Sequence, residues 1–281
     1  MNGRRAIVGL CMLCALLTSA FAAQSASAIT GTTAFTCVKG AKPEDRKGEH
    51  CLEIEPLIAN KEYGHVPIAQ DTTTELTGTN EKTEEGTTAA STGRLRLTIA
   101  GVPLELGATG VDGSGWMENK VAASGEHYAH GKGTITFTGV KVTKPEGRGC
   151  KVFTDSDLGV KGEEGVVHTR ELTATTELQK AGEPHFLNFK AADGGNFANF
   201  YVECEEGKKI PAIEGTWSCS GSVKGQPNGA TTVFTHATVT TENLLKCKGT
   251  KSGIEGKLTL SSRAKGSGGA FTPLAATTVA T

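Results

Sequence analysis

Two histidines three residues apart, His127 and His130 in the stretch GEHYAHG, are the first residues whose types and spacing allow chemistry. In a Gly-rich turn, two neutral imidazoles at that spacing can share a zinc or copper ion. No cysteine, aspartate or third histidine lies close in sequence, so the competing reading is a pair of solvent-facing turn histidines. A second constellation, Asp155-x-Asp157-x-Gly159 followed by Glu163 and Glu164, has the oxygen-rich character of a calcium loop. The EF-hand pattern wants Gly at the sixth loop position and Glu at the twelfth. Val160 and Val166 stand there, which leaves an irregular calcium loop or a solvated acidic loop.

Catalytic patterns are incomplete. Ser114, in Asp112-Gly113-Ser114-Gly115, lacks the first Gly of G-x-S-x-G and its strand-to-helix context. Glu203, Glu205 and Glu206 sit just past an alternating segment, where a charged rim is ordinary. Glycoside hydrolysis needs two carboxylates facing each other across a cleft, which spacing does not show. No Gly-rich phosphate loop precedes a helix. Trp116, Trp217, Tyr63, Tyr128 and Tyr201 carry faces that can stack on sugars, with core packing expected for both tryptophans. Neither catalysis nor a metal or other cofactor is therefore expected.

The cysteines have a structural part. Residues 1–28 read as an export signal, with Arg4 and Arg5 before an apolar run and Ala26-Ser27-Ala28 as the cleavage site. Of 8 cysteines, Cys11 and Cys14 fall in this leader. Leu10 and Leu13 precede them, where a lipoprotein signal wants a small residue. The remaining six are Cys37, Cys51, Cys150, Cys204, Cys219 and Cys247. An even count in an exported chain reads as disulfides, and no C-x-x-C pair favours a metal. Proximity pairs Cys37 with Cys51. Shared strand faces pair Cys150 with Cys204, because Val152 lies on the face of one and Phe200 and Val202 on the face of the other. Cys219 then pairs with Cys247, and the rival pattern joins Cys204 to Cys219 and Cys150 to Cys247.

The elements that must position these residues are strands. Gly, at 37 of 281 residues, and a comparable abundance of Thr favour turns and strands over helices. Ile135 and Phe137 alternate with Thr134, Thr136 and Thr138, the period of a half-buried strand. Phase slips at Gly139 and again at Gly101 predict strands that bulge or bend there. Asp193-Gly194-Gly195, between HFLNFKAA and NFANFYVEC, is a hairpin signal. Residues 107–133 read as Gly-rich, anchored by Trp116 and Met117, and residues 79–93 as a polar surface loop. The expected fold is all-β, an antiparallel β-sandwich or jelly-roll-like pair of sheets pinned by disulfides. A disulfide-closed appendage spans 29–64 and the main domain 65–281, with one or two sub-domains left open.

The stretches FTCVKG…HC, GHVPI, GTITFTGVKVTKPEGRGCKV, NFANFYVEC and GSVKGQPNGATTVFTHATVTT resemble a group of secreted proteins from soil actinobacteria. The resemblance covers most of the mature chain and implies an exported all-β protein, without implying an activity. Charge is near balance, 29 basic against 30 acidic residues, and losing Arg4 and Arg5 leaves the mature chain slightly acidic. That excludes a basic face for nucleic acid, and no later segment is apolar enough to span a bilayer. The expected function is a non-enzymatic structural or adhesive protein of the cell exterior. The alternatives are a module binding cell-surface or extracellular polysaccharide and, third, a secreted hydrolase.

Overall fold

Alternation and abundant turn residues do build strands throughout, and the described residues contain no helix. The structure is a computed structural model and describes residues 31–42, 44–47, 52–53, 62–80, 93–156, 160–176, 186–236 and 243–278. The chain begins with β1 (Gly31–Lys39), β2 (Glu44–Lys47), β3 (Leu52–Glu53) and β4 (Tyr63–Pro67). Then come β5 (Thr74–Thr79), β6 (Gly93–Ile99), β7 (Val102–Ala108), β8 (Gly110–Val121) and β9 (His127–Thr138). The middle holds β10 (Lys141–Lys144), β11 (Lys151–Ser156), β12 (Val160–Glu164), β13 (Val166–His168) and β14 (Leu172–Thr176). β15 (Leu187–Ala191), β16 (Asn196–Glu203), β17 (Gly215–Ser220), β18 (Ser222–Asn228) and β19 (Thr231–His236) follow. The chain closes with β20 (Lys246–Cys247), β21 (Thr250–Lys251), β22 (Gly253–Ala264) and β23 (Thr272–Thr278).

Eight of these strands form a ring. β5 pairs with β8, β8 with β9, β9 with β14 and β14 with β15. β15 pairs with β18, β18 with β19, β19 with β22, and β22 returns to β5, every pair antiparallel. The fold is all-β, but the expected sandwich or jelly-roll gives way to a closed barrel. The reason lies in β22, twelve residues long and partnered on both edges, so the sheet has no free edge there at which to divide in two. On β9 the buried side carries Ala129, Gly131, Gly133, Ile135 and Phe137, while Tyr128, His130, Lys132 and Thr134 turn outward. A lipid-facing barrel has the reverse pattern.

A second run of strands branches from the first residues of β22. It passes through β6, β7, β10, β11, β16, β17 and β20, and its apolar faces join the same core. Trp217, fully buried, stacks on Phe200 at 5.8 Å and donates its indole N–H to the Ile213 carbonyl at 2.7 Å. The N-terminal segment is tied in by β1, which pairs with both β4 and β23, while Phe35, Cys37 and Tyr63 form a small cluster of their own. The buried Asn119 on β8 fastens this segment to the barrel. Its side chain accepts from Ala34 N at 2.9 Å and donates to the carbonyls of Ala34 and Ile68, both at 2.8 Å.

Three local expectations change. The slip at Gly101 is a two-residue hairpin turn, Ile99 pairing with Val102 across Ala100 and Gly101, both with positive φ. At Gly139, φ 61°, the chain leaves β9 instead of continuing as one bulged strand. Asp193-Gly194-Gly195 makes a turn but no hairpin, because β15 has both edges occupied by β14 and β18, and β16 pairs with β11 and β17.

The Gly-rich 107–133 region contains the longest hairpin, β8 and β9 paired from Gly110↔Thr138 to Val121↔His127. Gly115, Gly131 and Gly133 in it are required by close backbone approach. A Cβ on Gly133 would meet the Ser114 carbonyl oxygen head-on and Gly115 Cα at 3.1 Å. Such glycines let barrel strands curve. Gly133→Ala is expected to cost about 1–3 kcal/mol by overpacking against backbone. Urea denaturation checks this, with Gly269→Ala as the neutral control, since the nearest atom to its added Cβ would be the Ser267 hydroxyl oxygen at 3.5 Å.

Candidate functional site

The strand period separates the two histidines. His127 shares the parity of the inward Ala129 and Gly131, whereas His130 faces out, so they stand on opposite faces of β9 and cannot share an ion. His130 instead packs edge-on to Trp116 at 5.6 Å, with Nδ1 3.3 Å from the Thr175 hydroxyl, and burial pushes its imidazole pKa down. The structure does not bring this candidate pair together, and among the described residues no group of three or more His, Cys, Asp or Glu gathers.

The acidic stretch is likewise a hairpin, β11 against β12, with Asp155 opposite Lys161. Asp157 lies outside the described residues. Glu164 pairs with Lys151 at 3.0 Å, and Glu163 N donates to the Thr154 hydroxyl at 2.7 Å.

Ser114 is an exposed mid-strand residue of β8, opposite Thr134 and far from the geometry of a strained nucleophile turn. Glu203 pairs with Lys161 and Glu205 with Lys208, each at 2.5 Å. Those ammonium partners hold both carboxyls below their ordinary pKa, the opposite of what a general acid needs. Trp217 belongs to the core as expected; Trp116 does not, lying half-buried on the outer wall against His130.

The cysteines are placed as the strand faces require. Cys150 is joined to Cys204 and Cys219 to Cys247, with Cys219 and Cys247 directly opposite on β17 and β20. Cys37 is also disulfide-bonded. Cys51 lies outside the described residues.

What sequence reading missed is a space. Where the barrel meets the second run of strands, a chamber of about 110 Å³ is lined by Leu106, Val111, Phe137, Phe200, Val223 and Phe234, among others. Ile135, Phe189 and Leu258 separate it from an inner chamber of about 50 Å³ inside the barrel. The inner chamber exists because Gly78, Gly113, Gly115 and Gly133 put no side chains into it. The available signal was glycine at alternate positions of two neighbouring strands, which subtracts volume from one face. Compared with family models, curated proteins and solved structures, the chain matches none.

Proposed function

We propose that the protein is an exported, non-catalytic binding protein of the cell exterior that encloses a small apolar ligand. The apolar chamber of about 110 Å³ carries this reading. Protein interiors pack as densely as organic crystals, and apolar wall without partner atoms forgoes dispersion and burial. A ligand recovers part of that. A dry apolar cavity of about 150 Å³ is known to take benzene, so the chamber suits one ring or a short chain. Export is supported by the leader-like residues 1–28, and two disulfides are consistent with an oxidising compartment.

The expected result is saturable enhancement of N-phenyl-1-naphthylamine fluorescence by the mature protein. Ala198→Leu, which adds three carbons to a buried position on the chamber wall, is expected to weaken binding at least tenfold. The same change should hold or raise the melting temperature, as cavity filling does. Equal binding by this variant, or no enhancement by the parent protein, overturns the reading.

One observation favours a second reading, glycan binding. Trp116, His130 and Tyr128 share the outer wall of β8 and β9, where an aromatic face can stack on a sugar ring. Specific signal on a glycan array that disappears in Trp116→Ala would put this surface ahead of the chamber.

A further inference from the structure

We infer that the ligand is an unbranched apolar chain whose tail lies in the inner chamber, rather than a compact ring held in the main chamber alone. This rests on the reading of the chamber as a ligand site and adds the shape of what it holds. Three cavities lie in file. The main chamber of about 110 Å³ and the inner one of about 50 Å³ share the wall made by Ile135, Phe189 and Leu258. The inner chamber in turn shares Met117, Leu187 and Leu260 with a third space of about 10 Å³.

The two walls are successive layers along the barrel. Leu258 and Leu260 are alternate residues of β22, and Phe189 and Leu187 alternate residues of β15, so each pair shares a face and stands about 7 Å apart. β15 reaches β22 through three antiparallel pairings, so the two strands run in opposite directions. Rising numbers on β22 and falling numbers on β15 therefore lead the same way. β9 agrees. Met117 of the second wall lies opposite Gly131, four residues before Ile135, on a strand that also runs against β22. All three strands step from the main chamber to the inner one and on to the third.

The first wall leans on bare backbone. Gly78 of β5 faces Gly113 of β8, and Leu258 Cδ1 occupies the place of the missing side chain, 2.9 Å from where a Cβ on Gly78 would stand. A change of rotamer at Leu258 then joins the two chambers without moving a side chain of Gly78 or Gly113. All six side chains of the two walls are apolar, so the file offers its length to hydrocarbon. A ring fills the main chamber and stops at the first wall, whereas a chain one methylene wide continues past it. Each methylene taken out of water there raises affinity roughly three- to fourfold.

The experiment displaces N-phenyl-1-naphthylamine from the mature protein with 1-hexanol and, separately, with 1-decanol. Ala174→Leu places three more carbons in the inner chamber, which Ala174 lines, and leaves the lining of the main chamber untouched. It is expected to weaken 1-decanol about tenfold while 1-hexanol and the probe bind as in the parent. Gly113→Ala secures the test should the leucine variant fail to fold. Its methyl would meet Gly78 Cα and the Thr134 carbonyl oxygen at 3.5 Å, an ordinary contact, and about a threefold loss for 1-decanol is expected. Decanol affinity indifferent to both changes, or equal weakening of both alcohols, overturns the threaded chain and leaves the main chamber standing. Absence of probe binding by the parent protein overturns the chamber itself, and the chain with it.

Discussion

Replacing Asn119 with leucine is expected to lower the unfolding free energy by about 3–5 kcal/mol, a large share of a typical domain's total. The side chain is buried and makes three hydrogen bonds to main chain on two other segments. Leucine is close in size but answers none of them. Ala34 N and the Ile68 carbonyl would be left without that partner, while the Ala34 carbonyl keeps its bond from Ile68 N at 3.2 Å, and each buried, unsatisfied group costs about 1–3 kcal/mol. The loss should be local first: Ala34 belongs to β1, so hydrogen exchange at Ala34 and its neighbours is expected to accelerate more than in β9. A loss below about 1 kcal/mol in guanidinium denaturation would show that water replaces the amide.

The double substitution Cys150→Ser with Cys204→Ser is expected to cost about 4 kcal/mol, and Cys219→Ser with Cys247→Ser somewhat less. The cross-links close loops with sequence separations of 54 and 28. In the chain-entropy model the longer loop removes more freedom from the unfolded state, by a few tenths of a kcal/mol. Denaturant titration of the two double variants measures the order. If the shorter link proves the more valuable by a clear margin, native packing around the fully buried Cys247 matters more than unfolded-chain entropy.

Some of this architecture was legible in the chain and some was not, for definable reasons. Alternation at Ile135 and Phe137, and at Leu95, Leu97 and Ile99, marked real strands because each has one wet face and one dry one. The same parity rule paired Cys150 with Cys204. It also separates His127 from His130 once that segment is known to be a strand. The error there was to read glycine as a turn former, when Gly115, Gly131 and Gly133 sit inside paired strands and serve close approach. Local signals also failed where the outcome depended on which edges were free. Asp193-Gly194-Gly195 has hairpin chemistry, but β15 had no edge left to offer. Closure of the barrel hangs on long-range pairings such as β22 with β5, about which neither segment's sequence says anything alone. The chamber is harder still to foresee, because it is made of missing side chains.

The pairing of β1 with β23 bears on the order of events as the chain folds. Thr32 lies against Thr278 and Thr36 against Leu274, so one of the first strands to be synthesised waits for the last. Closing so long a loop costs entropy before any contact repays it, and β22, which completes the ring, also arrives late. Until then the apolar faces of β8 and β9 have no roof, and β1 offers one unpaired edge to any neighbouring chain. Such a topology cannot finish strand by strand on the ribosome. Its closure waits on strands near the far end of the chain, β22 and β23.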